Sequence, residues 1–567
     1  MNPTRTRCSS ASRISCGGCL VLLLLFAAGS GATSTARADV DPEALSPAKQ
    51  KLDRRAVSEG GKTGDVPVES DVVSVAEARR LADAKKFGES ARVLRKVLEL
   101  NPENDDAQSL LARVLAWDRK FDQSIAEYRK ILRDHPDDAN ERAGYARVLA
   151  WSGRAEESLV QFRIATGKDS TDFETQVGYA RALSWAGDLP GASMEYERIL
   201  DQKPAYGDAW LGIATVARWR GAPTASDRFV AMAETRGADK EGVEEEKNAI
   251  RAANAPSLGG GWTTAHERQY VEGQPDYTIE STGPWLTGRT TWGACGVTGR
   301  YTQLAQFEVS EGTSTSGTTL NYDVDMTAIR ADVSYLRNYP FQATVGLEAR
   351  WLDAASPNVI YPLDTGEDSF VGWATHAWWY LGRWTPGVSL NRSFIPIKEA
   401  TGTPRLVAGY QTVLSGELGY QWDARWSASA GLEGASYSDD NQRGSVRAGG
   451  AWRFRLNRPS LTADYALSFT DFDFSSASYF TPLESVKHAL GVSLSGYSEK
   501  ASLDYGARYQ LAMVKSSNFD NIVTNTFSAN AGATLFGEVP ISFEGAYSRD
   551  NNRYETWYIA ISASGRW

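Results

Sequence analysis

Little in this chain suits catalysis at a metal or a thiol. It holds four Cys, four His and five Met in 567 residues. Cys8, Cys16 and Cys19 lie near the start and only Cys295 follows, so a chain that has lost its leading segment can form no internal disulfide. His135, His266, His376 and His488 are scattered, without the close ligand spacing of a zinc site. No metal and no other cofactor is expected. A basic excess is also missing: the net charge is −10, which argues against nucleic acid as a partner. The apolar run Leu20–Ala28 is too short to cross a bilayer as a helix. After Leu258 lysine nearly disappears, leaving Lys398, Lys487, Lys500 and Lys515.

What is present begins with a secretion signal. Arg5, Arg7 and Arg13 precede the apolar run, and Ala36-Arg37-Ala38 offers a small-x-small cleavage site before Asp39. Residues 1–38 are therefore expected to be a signal peptide. No Cys follows the run in a lipidation position. Residues 39–70 are polar with Pro and Gly, and are expected to be a linker.

A period of 34 then sets in. Ala112, Ala146, Ala180 and Ala214 are each 34 apart, as are Trp117, Trp151, Trp185 and Trp219. Leu94, Tyr128, Phe162 and Tyr196 keep the same step, and Pro102, Pro136 and Pro204 close three units. This is the tetratricopeptide pattern of helix-turn-helix pairs. Small Ala lets two helices approach, the aromatic fills the groove beside them, and Pro ends the second helix for want of an N–H. Five units fit, about 71–104, 105–138, 139–172, 173–206 and 207–240, within an α-solenoid of residues 71–257. The last degrades into the charged run Glu241–Lys247, as a cap or exit helix would. Such arrays present a concave protein-binding surface, although a plain spacer has the same signature. Arg113, Arg147 and Arg181 either line that surface or are simply solvated. The repeated Trp residues read as packing.

From residue 258 to 567 the period changes to two. Leu461, Ala463, Tyr465, Leu467 and Phe469 alternate with Thr462, Asp464, Ser468 and Thr470, and Leu503, Tyr505, Ala507, Tyr509 and Leu511 alternate with Asp504, Arg508 and Gln510. Strands with one apolar and one polar face follow. The terminal stretch puts Trp557, Ile559, Ile561, Ala563, Gly565 and Trp567 on one face, an ending similar to the assembly signal of outer-membrane barrels, and Trp557, Ile559, Ile561 and Trp567 are its candidate residues. Counting back from Trp567, connections alternate between long and short. Long ones centre on 550–552, 516–523, 471–483, 438–443, 395–405, 354–368, 308–317 and 271–276. Short ones lie at 537–539, 498–500, 457–459, 423–425, 382–383, 338–340 and, less clearly, Gly288–Trp292. Fifteen connections imply an antiparallel transmembrane barrel of about sixteen strands, with the repeat arm and the C-terminus on one side. Trp285, Trp292, Trp373, Trp378, Trp379, Trp384, Trp422, Trp426 and Trp452 mostly fall near strand ends, as interfacial girdles do.

Sixteen strands leave room for a channel. Glu348, Arg350, Glu433, Arg447, Arg453, Asp464, Asp504, Arg508 and Glu544 are the candidate lumen residues, because Arg on the lipid side would cost about 2–4 kcal/mol at the bilayer midplane. They carry both signs. From Leu258 onward 23 Lys+Arg stand against 31 Asp+Glu, which mildly favours neutral or cationic cargo. No nucleophile motif accompanies the histidines, and His266-Glu267 is the one close acid–imidazole pair near the start, so no enzyme activity and no catalytic residue are expected.

The order of parts resembles a known group. Signal peptide, tetratricopeptide arm and sixteen-strand barrel are similar to the outer-membrane exporters of cellulose and poly-N-acetylglucosamine, and the barrel resembles the YaiO type. The segment Ser478-Tyr479-Phe480-Thr481-Pro482 is similar to a Y-F/Y-S/T-P word of those barrels. The arm is shorter than in the cellulose exporter. The resemblance implies passive secretion of an exopolysaccharide through the outer membrane. Its implied partners are the polymer, periplasmic proteins of the synthesis and export machinery, outer-membrane lipid and the barrel assembly machinery. The alternative is a non-conducting surface antigen or receptor barrel whose arm scaffolds periplasmic proteins.

Overall fold

A computed structural model describes residues 74–269, 276–292, 295–311, 321–335, 339–354, 359–360, 369–399, 405–476, 481–498, 501–535 and 539–566. The expected signal peptide and linker, and Trp567, lie outside the described residues.

Among the described residues eleven helices come first: α1 (Val75–Asp83), α2 (Phe87–Leu100), α3 (Asp105–Trp117), α4 (Phe121–Asp134), α5 (Ala139–Trp151), α6 (Ala155–Lys168), α7 (Phe173–Trp185), α8 (Leu189–Gln202), α9 (Gly207–Trp219), α10 (Pro223–Thr235) and α11 (Lys240–Asn254). They form five pairs and an exit helix. Local chemistry sets the boundaries. Asn104, Asp138 and Asp172, again 34 apart, accept backbone N–H bonds at the starts of α3, α5 and α7. Within each pair the turn passes through a left-handed residue: Lys85, Arg119, Gly153, Gly187 and Gly221. Pro102, Pro136 and Pro204 follow the ends of α2, α4 and α8, where a residue without an N–H costs least.

Ala112, Ala146, Ala180 and Ala214 are fully buried, so helices close to van der Waals contact. A second periodic device accompanies them. Ser90, Ser124, Ser158 and Ser226 are buried and donate to the carbonyls of Ala78, Ala112, Ala146 and Ala214, at 2.6, 2.7, 2.8 and 2.7 Å. Tyr128, Phe162 and Tyr196 fill the groove between repeats, and burial pushes the Tyr128 phenol up to about 12. Trp117, Trp151 and Trp185 are half-buried against the core clusters, and Trp219 is buried.

Sixteen long strands follow: β1 (Ser257–Gln269), β2 (Asp276–Trp292), β3 (Cys295–Glu311), β4 (Asn321–Tyr335), β5 (Phe341–Ala354), β6 (Ser369–Trp379), β7 (Trp384–Glu399), β8 (Arg405–Gln421), β9 (Trp426–Tyr437), β10 (Gln442–Arg455), β11 (Ser460–Phe472), β12 (Ser485–Ser498), β13 (Leu503–Lys515), β14 (Ile522–Leu535), β15 (Val539–Asp550) and β16 (Glu555–Arg566). Each pairs antiparallel with its neighbour in sequence, and β1 closes on β16 from Ser257↔Arg566 to Arg268↔Glu555. The two-residue stretch Val359–Ile360 adds a parallel bridge to Leu406–Val407. The result is a closed sixteen-strand barrel, whose backbone groups need no partner from the surrounding medium. Among the described residues no helix is long and apolar enough to cross a membrane.

Three expected connections shift. Gly288–Trp292 is strand, and the chain reverses after Trp292, which pairs with Cys295. Ile395–Glu399 and Glu308–Glu311 also continue their strands, because cross-strand pairing extends the regular ladder past the residues that looked loop-like.

One face of each strand is apolar and exposed. Leu432 is 65% exposed, and Leu347, Val371, Leu414, Val446, Leu490, Leu511, Phe527 and Ile561 behave alike. Exposed apolar side chains repeated around a closed barrel form an outward band, which suits lipid. At the short-turn end Trp292, Trp384, Trp422, Trp426 and Trp452 are exposed, with Trp351 and Tyr547 toward the long-loop end. Trp379 packs its ring on Phe341 beside that short-turn belt, and Trp373 is half-buried. Ile559 and Ile561 are exposed on the outward face of β16.

Candidate functional site

The face opposite the apolar band carries the charges, and most are paired. Arg508 grips Asp464 through two bonds of 2.6 and 2.7 Å, from β13 across β12 to β11. Arg350 donates to Glu348 at 2.6 Å, and Arg330 forks onto Asp332 at 2.8–3.0 Å. Arg447 pairs with Glu417, and Arg443 with Glu433. Gly346 and Gly491 sit where an added Cβ would press on Asp332 and on the Arg508–Asp464 pair, so bare backbone makes room for the bridges. Glu544 is exposed on the same face, and Asp504 is exposed near the short-turn end of β13. Arg300 lies over the Trp285 ring at 4.9 Å. Side chains of this kind give a polar inner wall whose charges are largely paired.

Toward the long-loop end the inner wall is packed rather than open. Ile395, Val413, Ala435, Tyr437 and Phe472 form a buried cluster with Leu483 against it. Asparagines stitch the neighbouring connections together. Asn441, fully buried, donates to the Phe474 carbonyl and accepts from its N–H. Asn518 accepts from Leu483 N–H and donates to Thr481 O, and Asn551 accepts from Val523 N–H and donates to Asn521 O. Of the 478–482 segment, Thr481 and Pro482 are described, and both are buried.

The short-turn end meets the helical arm, and the contacts follow both repeats. At the third pair, Glu156 accepts from Leu456 N–H at 2.8 Å, donates its own N–H to Asn457, and pairs with Arg425 at 3.0 Å. At the fourth, the Ala186 carbonyl accepts from Arg453 and the Gly187 carbonyl from Gln421, both at 2.9 Å. Asp188, 1% exposed, holds Arg383 at 3.2 Å while capping α8 through Gly191 N–H at 2.8 Å. Burial holds the Asp188 carboxyl above the usual carboxylate range, against the pull of Gly191 N–H and Arg383. At the fifth, buried Arg220 stacks over Tyr339 and Tyr380 and its carbonyl accepts from Gln342. Ala424 and Leu456 from the barrel join one apolar core with Ala186, Leu189 and Trp219 from the arm. Successive helix layers step by about 8–10 Å, and successive hairpins by about twice the 4.8 Å strand spacing. Three repeats thus face four consecutive barrel turns, and the third, fourth and fifth repeats each reach two of them. Arg453 is therefore spent on the arm instead of standing free in the lumen, a correction to its expected role.

On the outward face of the β1–β16 seam, a cleft is lined by Thr264, His266, Glu280, Thr282 and Trp557. His266 stacks on Trp557 at 5.5 Å and lies 3.5 Å from Glu280, whereas Glu267 turns to the other face and is buried. Alternation thus separates the His266-Glu267 pair that adjacency in sequence suggested. Among the described residues no group of three or more His, Cys, Asp or Glu is placed to hold a metal ion.

Residues 81–148 match the family model of the tetratricopeptide repeat. The arm is a tetratricopeptide array. No curated protein sequence matches the chain. Among solved structures, it is similar to a bacterial polysaccharide outer membrane secretin, at 11% identity over 55% of this chain and 99% of that one, with a TM-score of 0.38. It is also similar to YrrB, a TPR protein with an unusual peptide-binding site, at 16% identity over 31% of this chain and 90% of that one, TM-score 0.25. A thermophilic TPR protein from Thermus thermophilus matches at 11% identity over 32% and 96% of the two chains, TM-score 0.28.

In the tetratricopeptide arm the repeated arginines resolve into a ladder. Arg113 bonds Glu141 at 2.9 Å and Arg147 bonds Glu174 at 2.5 Å, each reaching the next repeat. Arg218 closes the series on Glu246. The periodic serines and the step from Arg113 to Arg147 were open to sequence reasoning, since both keep the 34-residue period, whereas Arg218 and the glutamate partners fall off it. The docking residues were not, because only Asp188 and the glycines mark them.

Proposed function

We propose that the chain is an outer-membrane conduit for exopolysaccharide, with its tetratricopeptide arm in the periplasm. The observation that carries the reading is the closed barrel with an apolar outer face and an ion-paired, polar inner wall. A sugar polymer offers hydroxyls and weakly apolar ring faces. It needs many weak polar contacts and no single strong one, and a wall whose charges already satisfy each other supplies that. Glu348, Arg350, Glu433, Arg447, Asp464, Asp504, Arg508 and Glu544 are the lumen residues on this reading, and no residue has a catalytic role. The order of parts, similar to that of the cellulose and poly-N-acetylglucosamine exporters, supports the same conclusion. The arm is proposed to dock polymer-handling partners, and residues 1–38 to direct export of the chain.

A second reading has one observation in its favour. The buried cluster around Tyr437 and Phe472 fills part of the inner wall near the long loops, as a non-conducting receptor or antigen barrel would. Planar-bilayer recording of the purified full chain separates the two. The conduit reading expects steady open-channel current, and a permanently closed barrel refutes it.

A further inference from the structure

We infer that the arm is a fixed wall along one side of the short-turn mouth, and that cargo enters the lumen through the remaining sector, under β12–β16. This rests on the conduit reading above. The arm contacts four consecutive turns. The β10–β11 turn meets the third repeat, the β8–β9 turn the third and fourth, the β6–β7 turn the fourth and fifth, and the β4–β5 turn the fifth. From there α11 carries the chain to β1, and its last residue, Asn254, accepts a bond from Thr291 on β2 at 2.9 Å. The helices therefore follow the rim from β11 back to β1.

Exposure tells the two sectors apart. Under the arm, Gln342, Ala424 and Leu456 are buried, as are Asp188 and Arg220 on the arm side, which hold Arg383 and Gln342. Beyond it, Ala501 and Ser502 in the β12–β13 turn are exposed, and so are Thr534, Val539 and Pro540 around the β14–β15 turn. Their inner neighbours Tyr497, Asp504 and Arg566 offer a ring face and both charges to an incoming polymer. A swinging tether would not bury a carboxylate: removing Asp188 from water is tolerable only with Arg383 and the Gly191 N–H kept in place. Sliding the arm by one barrel turn would break the contacts of all three repeats at once.

Thiol labelling of the full chain tests the wall, and current tests the route. In a background with Cys8, Cys16, Cys19 and Cys295 all replaced by Ser, single cysteines replace Ala424, Leu456 and Ser502. A small maleimide should label Ala424→Cys and Leu456→Cys at least about tenfold more slowly than Ser502→Cys. Equal rates at both interface sites would show an undocked arm and overturn the inference. A large polyethylene-glycol maleimide on Ser502→Cys should then suppress potassium chloride current, while the same label on Arg458→Cys, beside the docked sector, should leave it. Unchanged current in the first, or suppression in the second, overturns the route. Absence of current from the unlabelled chain refutes the conduit reading and the route with it, while the labelling rates still decide the docking.

Discussion

Glu246 holds the end of the repeat array, and removing it should unlock that end. Its carboxylate takes Arg218 Nε at 2.7 Å and Nη2 at 3.1 Å, with Thr215 Oγ at 3.0 Å and Ser226 Oγ at 3.3 Å. Both partners are largely out of water, the side chains being 14% and 7% exposed. Glu246→Ala leaves the Arg218 guanidinium buried without its counter-charge, a loss of about 3–5 kcal/mol. The described helices span 75–254. For a unit of that size each kcal/mol lowers the melting temperature by about 2–4 °C, so the helical signal should melt roughly 6–20 °C lower. The assay is far-UV circular dichroism of the full chain, read at the helical band. Glu195→Ala is the comparison: its pair with Arg198 lies within one exposed turn, where such bridges are worth about 0.3–0.5 kcal/mol. A Glu246→Ala melt within about 2 °C of the parent, or equal to that of Glu195→Ala, would refute the reasoning. Replacing both partners with apolar residues, Arg218→Met with Glu246→Leu, should recover much of the loss, because no buried charge remains.

Four further outcomes follow from the docking and the inner wall. Asp188→Ala should loosen the arm by about 1–3 kcal/mol through an unpaired Arg383 and a lost helix cap, whereas Asp188→Asn keeps the cap; labelling at Ala424→Cys reads both. Because the docked Asp188 carboxyl titrates above its ordinary value, docking takes up a proton. It should tighten as the pH falls through that raised value, reach its full strength below about 3.9, and be constant above the raised value. Faster labelling on acidification would contradict this. Gly187→Ala should destabilise docking more than Gly153→Ala: both have positive φ, but only at Gly187 would the new Cβ meet a barrel side chain, Arg453 Nη1 at 2.8 Å. Asp464→Asn frees Arg508 on the inner wall, and the reversal potential in a salt gradient should move toward anion selectivity; no movement would place that pair off the ion path.

The helical arm and the barrel were legible because each repeats. Ala112 to Ala214 at steps of 34 dictate close-packed helix pairs, and the alternation from Leu461 to Phe469 dictates a strand with two unlike faces. Strand ends were less legible. Gly288–Trp292 resembles a turn by composition, yet its pairing with β3 continues to Cys295, and only the partner strand reveals that. Inner-face charges such as Asp464 and Arg508 could be assigned a face from parity, but their pairing depends on register across two strand gaps. Arg453 follows the same parity and yet points at the arm, because nothing in the local pattern says that a helix turn waits beneath it. Asn441, Asn518 and Asn551 looked like ordinary loop residues, and their role emerges only when neighbouring loops come together.

The central claim is that polymer leaves the cell through this barrel. Its most direct measurement is the sugar content of the cell surface and of the periplasm after the gene is deleted. The account predicts that surface polymer is lost while synthesis continues, with sugar accumulating inside, and that a plasmid copy restores export. Normal surface polymer in the deletion strain would contradict it.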